Sequence, residues 1–154
     1  STNNTLFRFC KVDGRNFYPL KNVGSAYNYT VLRLNGFCPR TTTRPMVRRF
    51  DNEDRNNGNW STGPTFPNVS VAGNWVMSFC AFNGGAHPLT MSTFPNYGFA
   101  YGVFASGTIP GQSLASGWLY KDDEDTFNLN FWINGPDSTM NGSNNTWMGL
   151  ARVK

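Results

Sequence analysis

Residues that could move protons or hold metals are few in this chain. It has one histidine, His87, inside the turn-like stretch Gly84-Gly85-Ala86-His87-Pro88. Nucleophilic catalysis needs such a base beside an activated serine or thiolate, and no Gly-x-Ser-x-Gly or comparable nucleophile context accompanies it. His87 therefore reads as a turn residue. The run Asp122-Asp123-Glu124-Asp125 supplies carboxylates, but a glycosidase sets two carboxyl groups across a cleft. Four adjacent ones on a tip are solvated and repel one another. Calcium suits that run better than catalysis does, yet EF-hand spacing is missing. The plain reading is a charged tip that guards a strand end. Cys10, Cys38 and Cys80 each follow a phenylalanine, which suggests buried thiols beside aromatic rings. The odd count and the lack of Cys-x-x-Cys support neither a disulfide framework nor a zinc site. We therefore expect reduced cysteines, assembly in a reducing compartment, no metal and no cofactor.

What remains is chemistry that binds. The chain holds five Trp, six Tyr and 20 Asn. Sugars are held by aromatic faces against their C–H groups and by amides, guanidinium and backbone groups at their hydroxyls. Two places concentrate these types. The first is the stretch 127–133, where Phe127, Leu129, Phe131 and Ile133 alternate with Asn128, Asn130 and Trp132. Successive side chains of a strand point to opposite sides. The apolar set is thus expected to face the core, and Asn128, Asn130 and Trp132 to form a polar face that meets a sugar or a neighbouring subunit. The second is the stretch 51–67, which reads as a long loop with Arg55, Asn59 and Trp60 in its middle and prolines at its end. Loops of that length are commonly functional. A tryptophan there either anchors the loop or contacts a ligand. Trp118 and Trp147 read as plain core.

Charge is uneven. Residues 1–77 carry ten Lys or Arg against four Asp or Glu, and residues 78–154 carry three against five. Arg40, Arg44, Arg48 and Arg49 form a short basic cluster, but no helix-turn-helix, finger or RNP-type motif goes with it, so nucleic acid is not expected as a partner. The cluster reads as a solvated strand or as an arm that pairs with an acidic tip of another subunit. Six Asn-x-Ser/Thr sequons, at Asn3, Asn28, Asn59, Asn68, Asn141 and Asn144, are about twice what chance gives in so Asn-rich a chain and do not by themselves argue secretion. No apolar run approaches the ~20 residues of a membrane span, and no signal peptide is visible. The chain opens on Ser1, as a processed product or an excised domain would.

The elements that must position these residues are strands. Residues 5–12 read as a first strand closed by Asp13-Gly14, and residues 26–34 as a second, with Tyr27, Tyr29 and Val31 on one face. Residues 41–50 read as an edge strand, because Pro45 interrupts them. Residues 69–82 are apolar on both faces and so central and covered on both sides. Residues 89–92 are a weak strand, 97–105 a strand of large residues alternating with glycine, and 146–153 a last strand. The stretch 116–133 reads as a hairpin with the acidic run at its tip. No ten-residue window shows helical spacing. Strands every ten or so residues, punctuated by Gly, Asn and Pro, imply an all-β, antiparallel β-sandwich or jelly-roll-like single domain over 1–154.

At Asn35-Gly36-Phe37-Cys38-Pro39-Arg40 the chain resembles receptor-binding heads of phage tail tips, in which a strand breaks at a Gly-Phe-x-Pro-Arg/Lys turn. The whole is similar to trimeric virus fibre heads of the adenovirus and reovirus type in size, in its Asn and aromatic content and in ending on a strand. The resemblance implies a homotrimer and a non-catalytic, receptor-binding head at a virion surface, which attaches to a host-cell glycan or receptor protein. Both a neutral and a sialylated glycan remain open, the basic half leaning toward the acidic one. A secreted, lectin-like defence protein is the alternative from another class. A small hydrolase comes third, because acids and bases are scarce.

Overall fold

A computed structural model describes residues 7–34, 36–52, 63, 70–71, 74–122, 127 and 129–154. Among these the fold is all-β. Nine strands make one antiparallel sheet: β1 Tyr29–Arg33, β2 Arg44–Phe50, β3 Ser70–Val71, β4 Asn74–Phe82, β5 Tyr101–Ala105, β6 Ser113–Lys121, β7 Phe131–Ile133, β8 Met140–Asn141 and β9 Thr146–Val153. Their order is β6-β9-β5-β1-β4-β2-β7, with β3 added beside β4 and β8 beside β9. Only three-residue 3-10 turns, Gly14–Asn16 and Ser25–Tyr27, interrupt the β structure.

Alternation assigns the two faces. On β4, Cys80 and Phe82 point one way and Met77, Phe79 and Ala81 the other, and each set enters its own core cluster. The outer cluster joins Tyr29, Phe82, Val103, Ala105, Ala151 and Val153 to Phe17, Leu20, Phe94 and Ile109 from the connections laid over that face. Its centre is aromatic: the Tyr29 and Phe82 rings stack at 4.8 Å, and Phe94 meets Tyr29 edge-on. The inner cluster collects Met46 and Phe50 from β2, Met77 and Phe79 from β4, Met140 from β8 and Met148 from β9, with Leu119 of β6 and Trp132 of β7 against it. Residues from both ends of the strand order thus share one core, which a flat sheet could not arrange. The sheet curls round that core, and Lys121 at the end of β6 brings its Nζ to 5.4 Å from the Phe50 ring on β2. The result is the sandwich-like all-β architecture that the strand spacing implies.

β9 falls where the alternation places it, and β4 is central and covered on both faces. β1 begins only at Tyr29, because Ser25–Tyr27 forms a 3-10 turn, β5 begins only at Tyr101, and the expected strand 69–82 is two, with β3 paired antiparallel to the start of β4. Four further expectations need correction. Residues 7–12 join no ladder; only Val12 of them packs against the outer cluster, and residues 8–11 are exposed. Residues 89–92 contribute only a bridge between Met91 and Leu20. β2 is not an edge: it lies between β4 and β7. Pro45 fits because β7 pairs only with Val47, Arg48 and Arg49, so no neighbour on that side asks Pro45 for an N–H. Finally, 116–133 is not a hairpin. β6 pairs with β9 and β7 pairs with β2, at opposite ends of the strand order.

The cysteines also differ from expectation. Cys38 and Cys80 form a disulfide, and Cys10 is free and exposed. The bond ties the loop before β2 to the outer face of β4. This corrects the expectation of reduced thiols for these two cysteines, and bonds of this kind are compatible with an oxidising compartment. It closes a loop of 42 residues, so replacing both cysteines by serine should lower unfolding free energy by about 4 kcal/mol in the chain-entropy account, read as a shift of the urea midpoint.

Three phenols are anchored around the outer core. Tyr29 donates to Tyr18 O at 2.6 Å, Tyr97 to Asp13 O at 2.6 Å and Tyr101 to Pro95 O at 2.8 Å. Burial pushes all three hydroxyls above the usual tyrosine range, with neighbouring Tyr101 and Tyr97 adding to it at Tyr29, Asp13 at Tyr97, and Tyr97 at Tyr101. A raised folded-state pKa means that the stabilisation is complete below the unfolded value and is lost as pH climbs above it. Urea midpoints should therefore be flat near neutrality and fall above ~pH 10, with a phenolate absorbance that rises together with unfolding.

Candidate functional site

Arg48 organises the seam between the ends of the curled sheet. Its neighbours Met46 and Phe50 are inward residues of β2, and alternation carries Arg48 inward with them, where it is fully buried. A guanidinium out of water needs a full set of acceptors. Its Nε donates to Thr146 Oγ1 at 3.1 Å, and one terminal nitrogen donates to Thr146 Oγ1 at 2.8 Å and Ser143 O at 3.1 Å. Its plane lies 5.0 Å from the Trp132 ring and 5.6 Å from Phe50. One side chain thus joins β2, β7 and the segment that leads into β9.

Of the residues singled out in the sequence, Arg55, Asn59, Trp60 and Asn128 lie outside the described residues. Asn130 and Trp132 are brought together, but as parts of the seam. Asn130 Oδ1 accepts the Asp51 N–H at 2.9 Å, and its Nδ2 donates to Asn144 O at 2.7 Å. The Trp132 indole N–H donates to Gly142 O at 2.9 Å. Gly135 packs so close that a Cβ there would stand 2.6 Å from Trp132 Cε3. Both side chains turn inward and are half-buried. The faces of this stretch are therefore the reverse of the expected ones: Asn130 and Trp132 face in, while Phe127, Leu129, Phe131 and Ile133 are all exposed.

Two of the aromatic residues that reach the surface, Trp118 and Trp147, are ones that sequence reasoning placed in the core. Trp118 is 65% exposed, and Tyr120 and Trp147 are each 44% exposed. Tyr120 lies opposite Trp147 in the β6–β9 ladder, and Trp118 opposite Gly149. Directly opposed residues share a face, so all three rings project from the outer face, on the part of it that the outer core leaves uncovered. A Cβ at Gly149 would run into Ala105 O. The place opposite Trp118 is therefore empty of side chain, and the Trp118 ring leans on Trp147 instead. Trp147 is the hub, with ring centroids 4.8 Å from Trp118 and 4.7 Å from Tyr120. Asn145 Nδ2 donates to Tyr120 Oη at 2.6 Å and fixes the far end. At the near end, Ser116 and Thr108 share a hydroxyl–hydroxyl bond of 2.9 Å.

The four clustered arginines serve different surroundings. Arg48 is interior, Arg40 is exposed, Arg49 lies 5.9 Å from the Phe131 ring and Arg44 donates to Pro136 O while facing Asp137 at 3.7 Å. Several other polar groups are spoken for locally. His87 Nδ1 takes the Leu89 N–H at 3.0 Å. Asp51 Oδ2 accepts from Leu129 N at 2.6 Å, and Asp13 is pulled down to about 2 by the hydrogen bonds of Arg15. Within the acidic run, Asp122 is exposed and Asp123, Glu124 and Asp125 lie outside the described residues.

No family model, curated protein or solved structure matches this chain. The site is accordingly read from its own geometry.

Arg48 gives that geometry a direct test. Arg48→Met keeps bulk but removes the guanidinium donors from Thr146 Oγ1 and Ser143 O. It should cost ~3 kcal/mol or more in urea unfolding, and Arg48→Lys should not restore the loss, because an ammonium cannot fork between Thr146 and the 143–144 backbone.

Proposed function

We propose that this chain is a non-catalytic attachment domain that binds a glycan through Trp118, Tyr120 and Trp147, with Asn145 at one end and Ser116 and Thr108 at the other. The observation that carries the reading is the exposure of three mutually packed rings on an uncovered face of the sheet. Leaving large apolar rings in water costs free energy, and contiguous exposed patches rimmed by polar groups mark binding surfaces. Rings braced against each other lose little further freedom when a ligand stacks on them. Amide and hydroxyl groups flank the rings, which supports a neutral sugar over the sialylated one toward which the basic half of the chain leans.

The resemblance to fibre heads supports placing this domain at a virion surface, as a homotrimer that attaches to a host cell. The disulfide supports an oxidising environment and fits a secreted, lectin-like protein equally well. Both settings use the same site. A hydrolase finds less support, since Asp13, Asp51 and Asp137, three of the four described aspartates, are held by neighbours in the fold.

A glycan array with the wild type, followed by titration of the best neutral hit, tests the reading. Trp118→Ala and Trp147→Ala should each weaken binding at least tenfold, about 1.4 kcal/mol, with the far-UV spectrum unchanged. Added salt should have little effect, as no ion pair is involved. An array without hits, or a hit whose affinity both variants retain, would overturn the assignment.

A further inference from the structure

The seam leaves a second surface that the glycan reading does not use. Phe127, Leu129, Phe131 and Ile133 recur at every second position, the pattern of a strand face made to be buried. In the isolated chain they are 87%, 59%, 41% and 51% exposed. The inversion is not a loose register. A slip by one residue would turn the row inward, but it would also pull Trp132 from Gly142 O and from Arg48, and Asn130 from Asp51 N and Asn144 O. Leu129, Phe131 and Ile133 are held outward by the bonds of Asn130 and Trp132 on their back.

The surface continues onto the neighbouring strand. Val47 stands opposite Ile133 and Arg49 opposite Phe131, both half-buried and on the same outer face. Among the described residues β7 is also the last strand of the sheet, so the row runs along an edge that no described strand pairs. We propose that this row is where a second copy of the chain docks, row against row.

Area supports a copy as the occupant. With ~150–200 Å² per large apolar side chain, the four residues leave on the order of 400 Å² uncovered per copy. Two facing rows hide roughly twice that in side chains alone. Val47, Arg49 and the strand edge then bring the total to about the 1,200 Å² at which specific interfaces begin. The row is also self-complementary. About a two-fold axis at Phe131, Leu129 of one copy falls beside Ile133 of the other, aliphatic on aliphatic, as an isologous contact requires. An isologous contact closes a pair, so this dimer stands in place of the homotrimer that the fibre-head resemblance implies, and it does not depend on the sugar site.

Sedimentation equilibrium over a range of concentrations tests it. The wild type should weigh twice 17.2 kDa. Leu129→Glu and Ile133→Glu, both at exposed positions, should return it to a single-chain mass with the near-UV spectrum intact. Hydroxyl-radical footprinting of the wild type gives a second reading without any variant: Phe131 should be labelled less as concentration rises, while Trp118 is not. Trp118→Ala should leave the mass unchanged, so failure of the glycan reading and of this one are separable. A wild type of single-chain mass at tens of micromolar, an assembly that both glutamate variants leave whole, or Phe131 labelling independent of concentration would overturn the proposal.

Discussion

A buried guanidinium decides the shape of this molecule. Taking an arginine out of water costs several kcal/mol unless acceptors replace its hydration. Arg48 finds them in Thr146 Oγ1 and in the backbone of the 142–145 segment, with the Trp132 and Phe50 rings beside its plane. These partners come from places far apart in the strand order. The cation can be satisfied only if the sheet curls until β2 and β7 meet the entry to β9. A hydrophobic core drives collapse but is indifferent to which edges meet, because burial of apolar area has no direction. Hydrogen bonds to one planar fork supply the direction.

The same closure explains both exposed surfaces. Once Trp132 is turned toward Arg48 and its N–H toward Gly142 O, the pleat of β7 must send Phe131 and Ile133 outward. On the far edge, Met148 and Leu119 are drawn into the inner core, and Trp147, Trp118 and Tyr120 are correspondingly sent to the outer face. The connections that cover this face reach Ala151 and Val153, and the three rings lie beyond them. Each patch is the reverse side of a residue the seam required.

This also marks what the amino-acid pattern can and cannot convey. β4 is legible because apolar residues fill both of its faces, so no choice of side arises. β9 is legible in extent, whereas β1 is legible in place but starts three residues later than its pattern suggests, at Tyr29. Alternation in 127–133 reveals a strand-like period but not which half of it turns inward. That choice rests on Arg48, 80 positions away, and nothing local announces it. The hairpin reading of 116–133 fails on the same ground: a strand, a polar tip and a strand fit a hairpin and fit two opposite edges equally well. Cys38 and Cys80 pair because Pro45 brings the start of β2 opposite Cys80, a proximity invisible in a count of three cysteines. At the proposed surface, the sequence names tryptophan and asparagine but does not show which of them turn outward. The amides and indole expected to meet a ligand, Asn130 and Trp132, are engaged in the seam.

The tryptophans show why type alone is a poor guide to role. An indole has one donor and two broad faces, and its fate depends on what is offered to each. At Trp132 a carbonyl takes the donor and a cation approaches the ring, so little is left for a ligand. At Trp118 and Trp147 the rings touch each other and Tyr120, contacts that use edges and part of one face, and much of their surface stays in water. Packing of this kind limits ring motion without consuming the binding surface. The side chains suited to hold a flat, hydroxylated ligand are thus those whose partners are other aromatic rings, and the side chain satisfied by backbone and guanidinium belongs to the fold.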